Sequence, residues 1–410
     1  ISKIKNLLES DDVLNCANAL KTLGVKIIKK KDVFLVYGNG LNSFKVEKKL
    51  TKIFVGNSGT TARLLCGLLS TYSSKFYLHG DESMNKRDMS RIIEPLEKVG
   101  CFFYPKNKST LPLIMEGTSM PLAQKHIENR GSAQVKSSIL FSALATPGET
   151  TIEEKKISRN HTEIFLNKIL ANIKIKKLIK GNLISLTGQK NLFSFNYRVG
   201  CDPSSAAFLI VLTLLTPGSK SIIHNVICND TRIKYIKILK KMNANIKIKN
   251  LRRDASSGEF LGSIITESSN LKATTVSKDI GKLIDELPIL FVAASLAKGT
   301  SKFKSISELA HKESSRAVEM KKVLTQGGIK CKNTKDTMTI YGKNNIKTKK
   351  RFIVVKTKGD HRICMSSAIF SLVTGLKTKI NNFDTVNTSF PGFISLIKKN
   401  LGAKIEIKKN

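Results

Sequence analysis

The sequence predicts an α/β protein of two domains, each assembled from three repeated βαβ-type subdomains. Three observations carry this. The 410 residues suffice for two domains with full hydrophobic cores. One unit of similar pattern recurs six times along the chain, and the turn-forming sequence Gly200-Cys-Asp-Pro203 separates the first three copies from the last three. The expected domains are therefore residues 1–200 and 201–410, with a hinge at the turn and a ligand cleft between them.

In each copy an amphipathic helix ends at a small residue, and a strand, a polar turn and a second strand follow. The instances run through Ala19-Leu-Lys-Thr-Leu-Gly24, Pro95-Leu-Glu-Lys-Val-Gly100, Leu166-Asn-Lys-Ile-Leu-Ala171, Ile238-Leu-Lys-Lys-Met-Asn-Ala244, Val323-Leu-Thr-Gln-Gly-Gly328 and Ile397-Lys-Lys-Asn-Leu-Gly402. Their terminal small residues are 76, 71, 73, 84 and 74 positions apart. That period is too long for a solenoid and holds one complete subdomain. A small residue at this place suits a left-handed helix C-cap.

Composition narrows the function. The net charge of +39 suggests nucleic acid at first, but the excess is 58 Lys against 12 Arg, spread along the whole chain. Aromatic residues are 6% with no Trp, which leaves little to stack on bases. The bias reads as lysine drift on solvated faces, and neither a nucleic-acid nor a membrane partner is expected. The apolar runs 206–215 and 287–297 are too short to span a bilayer. Seven scattered cysteines without a Cys-x-x-Cys argue against a disulfide framework and a cysteine zinc site, and for a reducing cytoplasm. The chain begins at Ile1, inside a strand pattern and without Met, so a preceding segment is expected.

The candidate chemistry lies at helix starts. In Val55-Gly-Asn-Ser-Gly-Thr-Thr-Ala-Arg63 an apolar strand turns through Gly56 and Gly59 into a helix, where free amides and the helix dipole favour an anion. Arg63 adds a forked donor within the first turns. Arg87 follows a polar loop and reads either as an anion clamp or as a solvated arginine. Ser132, Ala133 and Gln134 open another helix, as phosphate donors or as an ordinary N-cap. Arg159, His161 and Glu163 precede a third, and His161 has no second ligand at zinc spacing. Asp285 and Glu286 stand before an apolar helix, as functional acids or as caps. Lys312 and Arg316 fall at i and i+4 on one helix face, where like charges are mildly unfavourable unless an anion or acid lies between them, and Glu313 beside them offers an acid–base partner. Arg362 opens a further helix after Asp360 and His361, where His361 also suits a packed core. Arginine kept at helix starts in a lysine-rich chain implies forked recognition of carboxylate or phosphate.

Taken in order, Gly56-Asn-Ser-Gly-Thr-x-x-Arg63, Lys86-Arg87, Ser132-Ala-Gln-Val-Lys136, Arg159-x-His-Thr-Glu163, Gly200-x-Asp-Pro-Ser-Ser205, Asp285-Glu286, Lys312-Glu-Ser314, Asp360-His-Arg362 and Ser389-Phe-Pro391 resemble the 5-enolpyruvylshikimate-3-phosphate synthases, and within them the second bacterial class. The resemblance covers nearly the whole chain. It implies two inside-out α/β barrels, the enolpyruvyl transferase fold, and transfer of the enolpyruvyl group of phosphoenolpyruvate to the 5-hydroxyl of shikimate 3-phosphate, with release of phosphate, by a monomer without cofactor or metal.

The same resemblance implies the site. Gly59, Arg63, Arg87, Gln134, Arg316 and Arg362 would hold phosphoenolpyruvate; Ser132, Ala133, Gln134, Arg159, Asp285 and Lys312 would hold shikimate 3-phosphate. Asp285 would deprotonate the attacking hydroxyl, and Lys312 and Glu313 would move protons at the enolpyruvyl methylene. The chain departs from the family pattern at Asp88, in place of a proline, and at Ala310 and Ser315, in place of an Arg and an Asp. The family's first Lys-Ser and Arg motif would lie before Ile1. The related transferase acting on UDP-N-acetylglucosamine needs a reactive loop cysteine, whereas Cys101, between Gly100 and Phe102, reads as a buried thiol.

Overall fold

Two kinds of helix alternate along the chain, and their sequences explain the difference. The structure, a computed structural model, describes residues 1–47, 49–343, 352–401 and 406. One kind is apolar on nearly every side: α2 (Gly59–Leu69), α4 (Ala133–Ala145), α6 (Pro203–Leu215), α8 (Leu287–Ser295) and α10 (His361–Thr374). Every residue of α8 is buried, as an all-round apolar helix requires. The other kind carries one apolar face: α1 (Asp11–Thr22), α3 (Ser90–Val99), α5 (His161–Lys168), α7 (Lys234–Lys241), α9 (Arg316–Gln326) and α11 (Phe393–Leu401). In α7 the buried residues are Tyr235, Ile236, Ile238 and Leu239, while its lysines face outward.

The chain forms two compact units, Ile1–Gly200 with Arg253–Phe260, and Cys201–Arg252 with Leu261–Asn410. The segment Arg253–Phe260 returns to the first unit, so no single cut between residues 200 and 201 separates them.

The first unit contains three four-stranded sheets of one topology. In each, an edge strand runs parallel to its neighbour and two antiparallel strands follow: 51–54, 75–79, 113–116, 102–104 in one, and 125–128, 149–154, 182–187, 173–177 in another. The third sheet takes its parallel edge from the far end of the unit, where Asn196–Arg198 pairs with Ser2–Lys5 in the register Lys3↔Asn196. α2 packs on α4 beneath the sheets. Ile53, Phe76, Leu96, Ile139 and Ile152, all fully buried, belong to one continuous core. Each such side chain contributes about 1.5–3 kcal/mol by leaving water.

In the second unit α6, α8 and α10 pack on one another around a core that includes Phe208, Phe291 and Phe370. The strands 275–276, 299–304, 337–342 and 330–333 repeat the four-stranded pattern. The sheet 220–227, 260–267, 245–253 keeps only a parallel bridge, Cys201↔Val226, where the edge strand stands elsewhere. Among the described residues two parallel strands, 353–355 and 378–380, represent the last sheet. Helices inside and sheets outside, recurring in each unit, make the inside-out α/β architecture that the family resemblance implies.

Five of the six predicted helix ends are described, and Gly402 lies outside the described residues. Gly24, Gly100 and Gly328 are left-handed, with φ of 82°, 113° and 86°. At the two alanine copies the left-handed residue falls one position earlier, at Leu170 (φ 61°) and Asn243 (φ 69°). Alanine gains nothing from that conformation, so the chain turns at its neighbour; Asn accepts it readily and Leu does not. Among the described residues no helix is long and apolar enough to cross a membrane, and no group of three or more His, Cys, Asp or Glu is placed to hold a metal ion.

Candidate active site

The predicted chemical stretches gather at helix N-termini, mostly those of the apolar helices, whose first turns carry unpaired amides. In the first unit the strand Thr51–Phe54 turns at Gly56, whose φ of 59° only glycine adopts without cost, and whose Cβ position is blocked by Asn15. Gly56 is thus a backbone requirement, whereas Gly59 opens α2 and is hemmed by side chains alone. Ser58 caps α2 by accepting from the Thr61 amide at 3.2 Å.

A Cβ on Gly59 would stand 2.7 Å from Nη1 of Arg63 and 3.2 Å from Nη1 of Arg87. Two guanidinium groups therefore flank this one glycine. Arg63 donates through Nη1 to Oε1 of Gln134 at 2.8 Å and through Nη2 to the Asp88 carbonyl at 2.9 Å. Gln134 donates in turn to Oγ1 of Thr60 at 2.8 Å, which ties α4 to α2. Arg87 donates to Oδ1 of Asn57, and Asn57 is fixed by Oδ2 of Asp81 at 2.7 Å. Burial, then the nearby Arg87 and Arg91, push the Arg63 guanidinium down to about 10. Its hydrogen bonds go to neutral oxygens, so the positive field here is suited to an anion. Asp88, the departure from the family's proline, keeps its carbonyl for Arg63 and caps the next turn, accepting from the Ser90 amide at 3.0 Å.

Ser132 occupies the N-cap of α4 and accepts from the Val135 amide at 3.4 Å, so its ordinary capping role is realised. Ala133 and Gln134 follow at the half-buried first turn, beside the left-handed Gly131 (φ 74°). Arg159 lies half-buried in the loop between strand 149–154 and α5. His161 sits 2.5 Å through Nδ1 from Oε1 of Glu259, a residue of the returning segment 253–260. Nothing in the local sequence around either residue signals that pairing.

The second unit gathers carboxylates around one cation. Arg316, the first residue of α9, is 1% exposed. Its Nε donates to Oδ2 of Asp360 at 3.0 Å, its Nη1 to Oδ1 of Asp285 at 3.1 Å, and its Nη2 to Oε2 of Glu313. Lys312 places Nζ 3.4 Å from the same Asp285 oxygen. Burial alone would weaken the charge on Arg316, but Asp360, Glu313 and Asp285 raise its pKa above the ordinary value.

Two expectations change here. Lys312 is not on a helix face with Arg316: α9 starts at Arg316 and Lys312 precedes it in extended backbone. The acid between the two cations is Asp285. Asp285 and Glu286 are also not caps, since Glu286 holds the N-cap position of α8 without a side-chain capping bond and instead accepts from Oγ of Ser204.

Asp360, 0% exposed, caps α10 through the amides of Arg362 at 2.9 Å and Ile363 at 3.4 Å, while its other oxygen takes Arg316 and Oγ of Ser314. His361 is packed in the core; burial, then the neighbouring Arg362, push it down to about 4. The Arg362 side chain makes no hydrogen bond or ion pair among the described residues, and its buried Nε has no partner. Sequence reasoning passed over Asp360 as a hub and Arg232, which donates to Oδ1 of Asp202 at 2.7 Å and to Oγ of Ser204 at 2.8 Å. Despite burial, Arg232 and Arg362 hold the Asp202 carboxyl at about 2.

This geometry can be compared with known proteins. Residues 1–397 match the family described as EPSP synthase (3-phosphoshikimate 1-carboxyvinyltransferase). The chain belongs to the EPSP synthase family. A 3-phosphoshikimate 1-carboxyvinyltransferase of Bartonella quintana is 38% identical over 404 residues, covering 98% of this chain and 90% of that protein. One of Oenococcus oeni is 40% identical over 400 residues, covering 96% and 88%. The solved EPSP synthase of Acinetobacter baumannii superposes with a TM-score of 0.82 at 34% identity, covering 97% of this chain and 89% of that one. The enolpyruvyl transferase NikO from Streptomyces tendae shares the fold, with a TM-score of 0.74 at 11% identity, over 98% and 89%. As an EPSP synthase family member the chain is a transferase of the shikimate pathway. Within it Cys101 is 3% exposed, burial pushes its thiol up to about 12, and it donates to the Ser70 carbonyl at 3.6 Å. A thiol held so is not a nucleophile.

Proposed function

We propose that the protein joins the enolpyruvyl group of phosphoenolpyruvate to the 5-hydroxyl of shikimate 3-phosphate through Asp285, Lys312 and Glu313, with release of inorganic phosphate. The observation that supports these roles best is the convergence of Lys312 and Arg316 on one oxygen of Asp285, with Glu313 on the same guanidinium. A carboxylate and an ammonium 3.4 Å apart form a proton-transfer pair already in contact.

Asp285 accepts the hydroxyl proton as the 5-oxygen bonds to C2 of phosphoenolpyruvate. Lys312 or Glu313 delivers a proton to C3, which gives a tetrahedral phosphate-bearing intermediate. Elimination then breaks the bond from C2 to the phosphate oxygen, the same group takes a proton back from C3, and the departing phosphate carries off the proton that Asp285 accepted. Charge grows on phosphate and carboxylate oxygens along this path. Fixed donors at helix N-termini stabilise it without reorganising.

In this reading Gly59, Arg63, Arg87, Gln134 and Arg362 hold phosphoenolpyruvate, and the vacant Nε of Arg362 and the neutral partners of Arg63 support anion binding there. Arg316 joins them by exchanging a protein carboxylate for one of substrate. Ser132, Ala133, Gln134 and Arg159, with Asp285 and Lys312, hold shikimate 3-phosphate. Residues 1–200 and 201–410 are the two enolpyruvyl transferase domains, the first completed by 253–260. The protein works as a monomer in a reducing cytoplasm, consistent with seven free thiols.

The test is phosphate release from phosphoenolpyruvate by the purified protein. Release that requires shikimate 3-phosphate is expected. Release absent with shikimate 3-phosphate, or obtained only with UDP-N-acetylglucosamine, overturns the reading.

A further inference from the structure

The first unit buries three charged side chains that the proposed chemistry does not use. Lys136, in α4, is fully enclosed, with Nζ 2.8 Å from Oε1 of Glu154 and 2.5 Å from Oε1 of Glu163. Glu154 ends the strand 149–154 and Glu163 lies in the first turn of α5. Ions are not buried this way for stability alone, because apolar residues of the same volume do as well or better. Their value lies in fixing geometry.

The geometry they fix is specific. Oε1 of Glu154 also accepts from the amide of Ser158 at 2.8 Å and from its hydroxyl at 2.5 Å, and Oε2 accepts from Asn182 at 3.2 Å. Ser158 is the residue before Arg159. Lys136 lies three positions after Ala133 and two after Gln134, and the neighbouring Ser137 shares a 2.6 Å hydroxyl contact with Thr162. One ammonium thus binds the start of α4, the Arg159 loop and the start of α5 to each other.

We propose that Lys136 and Glu154 are positioning residues for shikimate 3-phosphate binding, holding Arg159 in register with Ser132 and Gln134. This rests on the assignment of those three residues to shikimate 3-phosphate. Glu154 acts through Ser158, and Lys136 acts through the helix start that it anchors. Neither touches substrate, so the chemical step itself is left alone. A displacement of about 1 Å in a positioning group costs as much as a hundredfold.

The informative variants are Glu154→Gln, which keeps the shape and removes one charge, and Lys136→Met/Glu154→Gln/Glu163→Leu, which removes the cation with both of its acids so that no unpaired charge is left buried. In the full chain both are expected to raise KM for shikimate 3-phosphate about tenfold or more, with KM for phosphoenolpyruvate and kcat within about twofold. Amide exchange of residues 158–160, measured without ligand, is expected to quicken at least tenfold while the core of α4 stays protected.

A fall in melting temperature with unchanged KM and unchanged loop exchange overturns the proposal and leaves the cluster structural. Equal losses in both KM values and kcat overturn it as well. If the unsubstituted protein fails to bind shikimate 3-phosphate in a calorimeter, the assignment of function fails; loop exchange then judges the positioning role separately, and an unchanged loop rejects it.

Discussion

Nη1 of Arg316 lies 3.1 Å from Oδ1 of Asp285, the same oxygen that Nζ of Lys312 approaches to 3.4 Å. Asp285 thereby lies between two cations. Asp285→Asn keeps the volume and removes the base. We expect kcat to fall by roughly 10²–10⁴-fold with KM for either substrate changed far less, as for loss of a general base. Steady-state kinetics decide it, and a kcat within tenfold of the parent removes Asp285 from the chemistry.

Gly59→Ala puts a methyl 2.7 Å from Arg63 and 3.2 Å from Arg87. Both obstructing atoms are the ends of long side chains, so the fold should survive with a stability change near 1 kcal/mol or less. The displaced guanidinium groups should bind phosphoenolpyruvate and bulkier phosphonate analogues more weakly. Inhibition constants measured for such analogues test this, and unchanged inhibition places the anion elsewhere.

His361 gives the second unit a pH signature. Its pKa falls to about 4 in the folded protein from an ordinary value of 6.5, because burial and then Arg362 disfavour the charged ring. The unfolded chain therefore binds the proton more tightly. The stability that His361 supplies is complete above pH 6.5 and is lost as pH falls from there toward 4, by about 3 kcal/mol at most. Asp202, depressed to about 2, adds a separate loss only below its unfolded value of 3.8. Urea denaturation from pH 7.5 to 4.5 should show the slope, and His361→Gln should flatten it. An unchanged slope in that variant assigns the effect to another group.

Leu170 is a left-handed leucine (φ 61°) with its side chain 68% exposed. The conformation costs about 1–2 kcal/mol for a non-glycine residue, and little apolar packing offsets it. Leu170→Gly should raise stability by about 0.5–1 kcal/mol after the greater entropy of unfolded glycine is subtracted. Calorimetry that finds a lower melting temperature would show that the side chain packs more than its exposure indicates.

The parts legible in the sequence are those that one local stretch specifies. Anion-binding turns are local, since strand, glycine, cap and arginine follow within about ten residues, and so Gly59, Arg63 and Ser132 are found at the helix starts where the pattern puts them. The repeat is legible for the same reason, through helix, small residue and hairpin. What escaped is assembled from afar. Two carboxylates reach Arg316 from positions 285 and 360, and Glu259 reaches His161 across 98 residues; no spacing rule connects them. Lys312 defeated the helical reading because an i, i+4 spacing has meaning only inside a helix, and the helix begins at Arg316. The register of the left-handed turn at Ala171 and Ala244 was lost because a lone alanine, unlike glycine, does not mark the position itself.

The path of the chain through the first unit bears on its synthesis at the ribosome. Ser2–Lys5 is made nearly two hundred residues before its parallel neighbour Asn196–Arg198. Glu259, which meets His161, arrives only after more than fifty residues of the second unit have been made. A nascent chain halted before residue 196 therefore exposes an unfinished sheet edge, and one halted between residues 161 and 259 carries a histidine awaiting its acid. Truncated products of this gene should be sticky and short-lived, and the two halves should fail to fold when expressed from separate messages cut at residue 200.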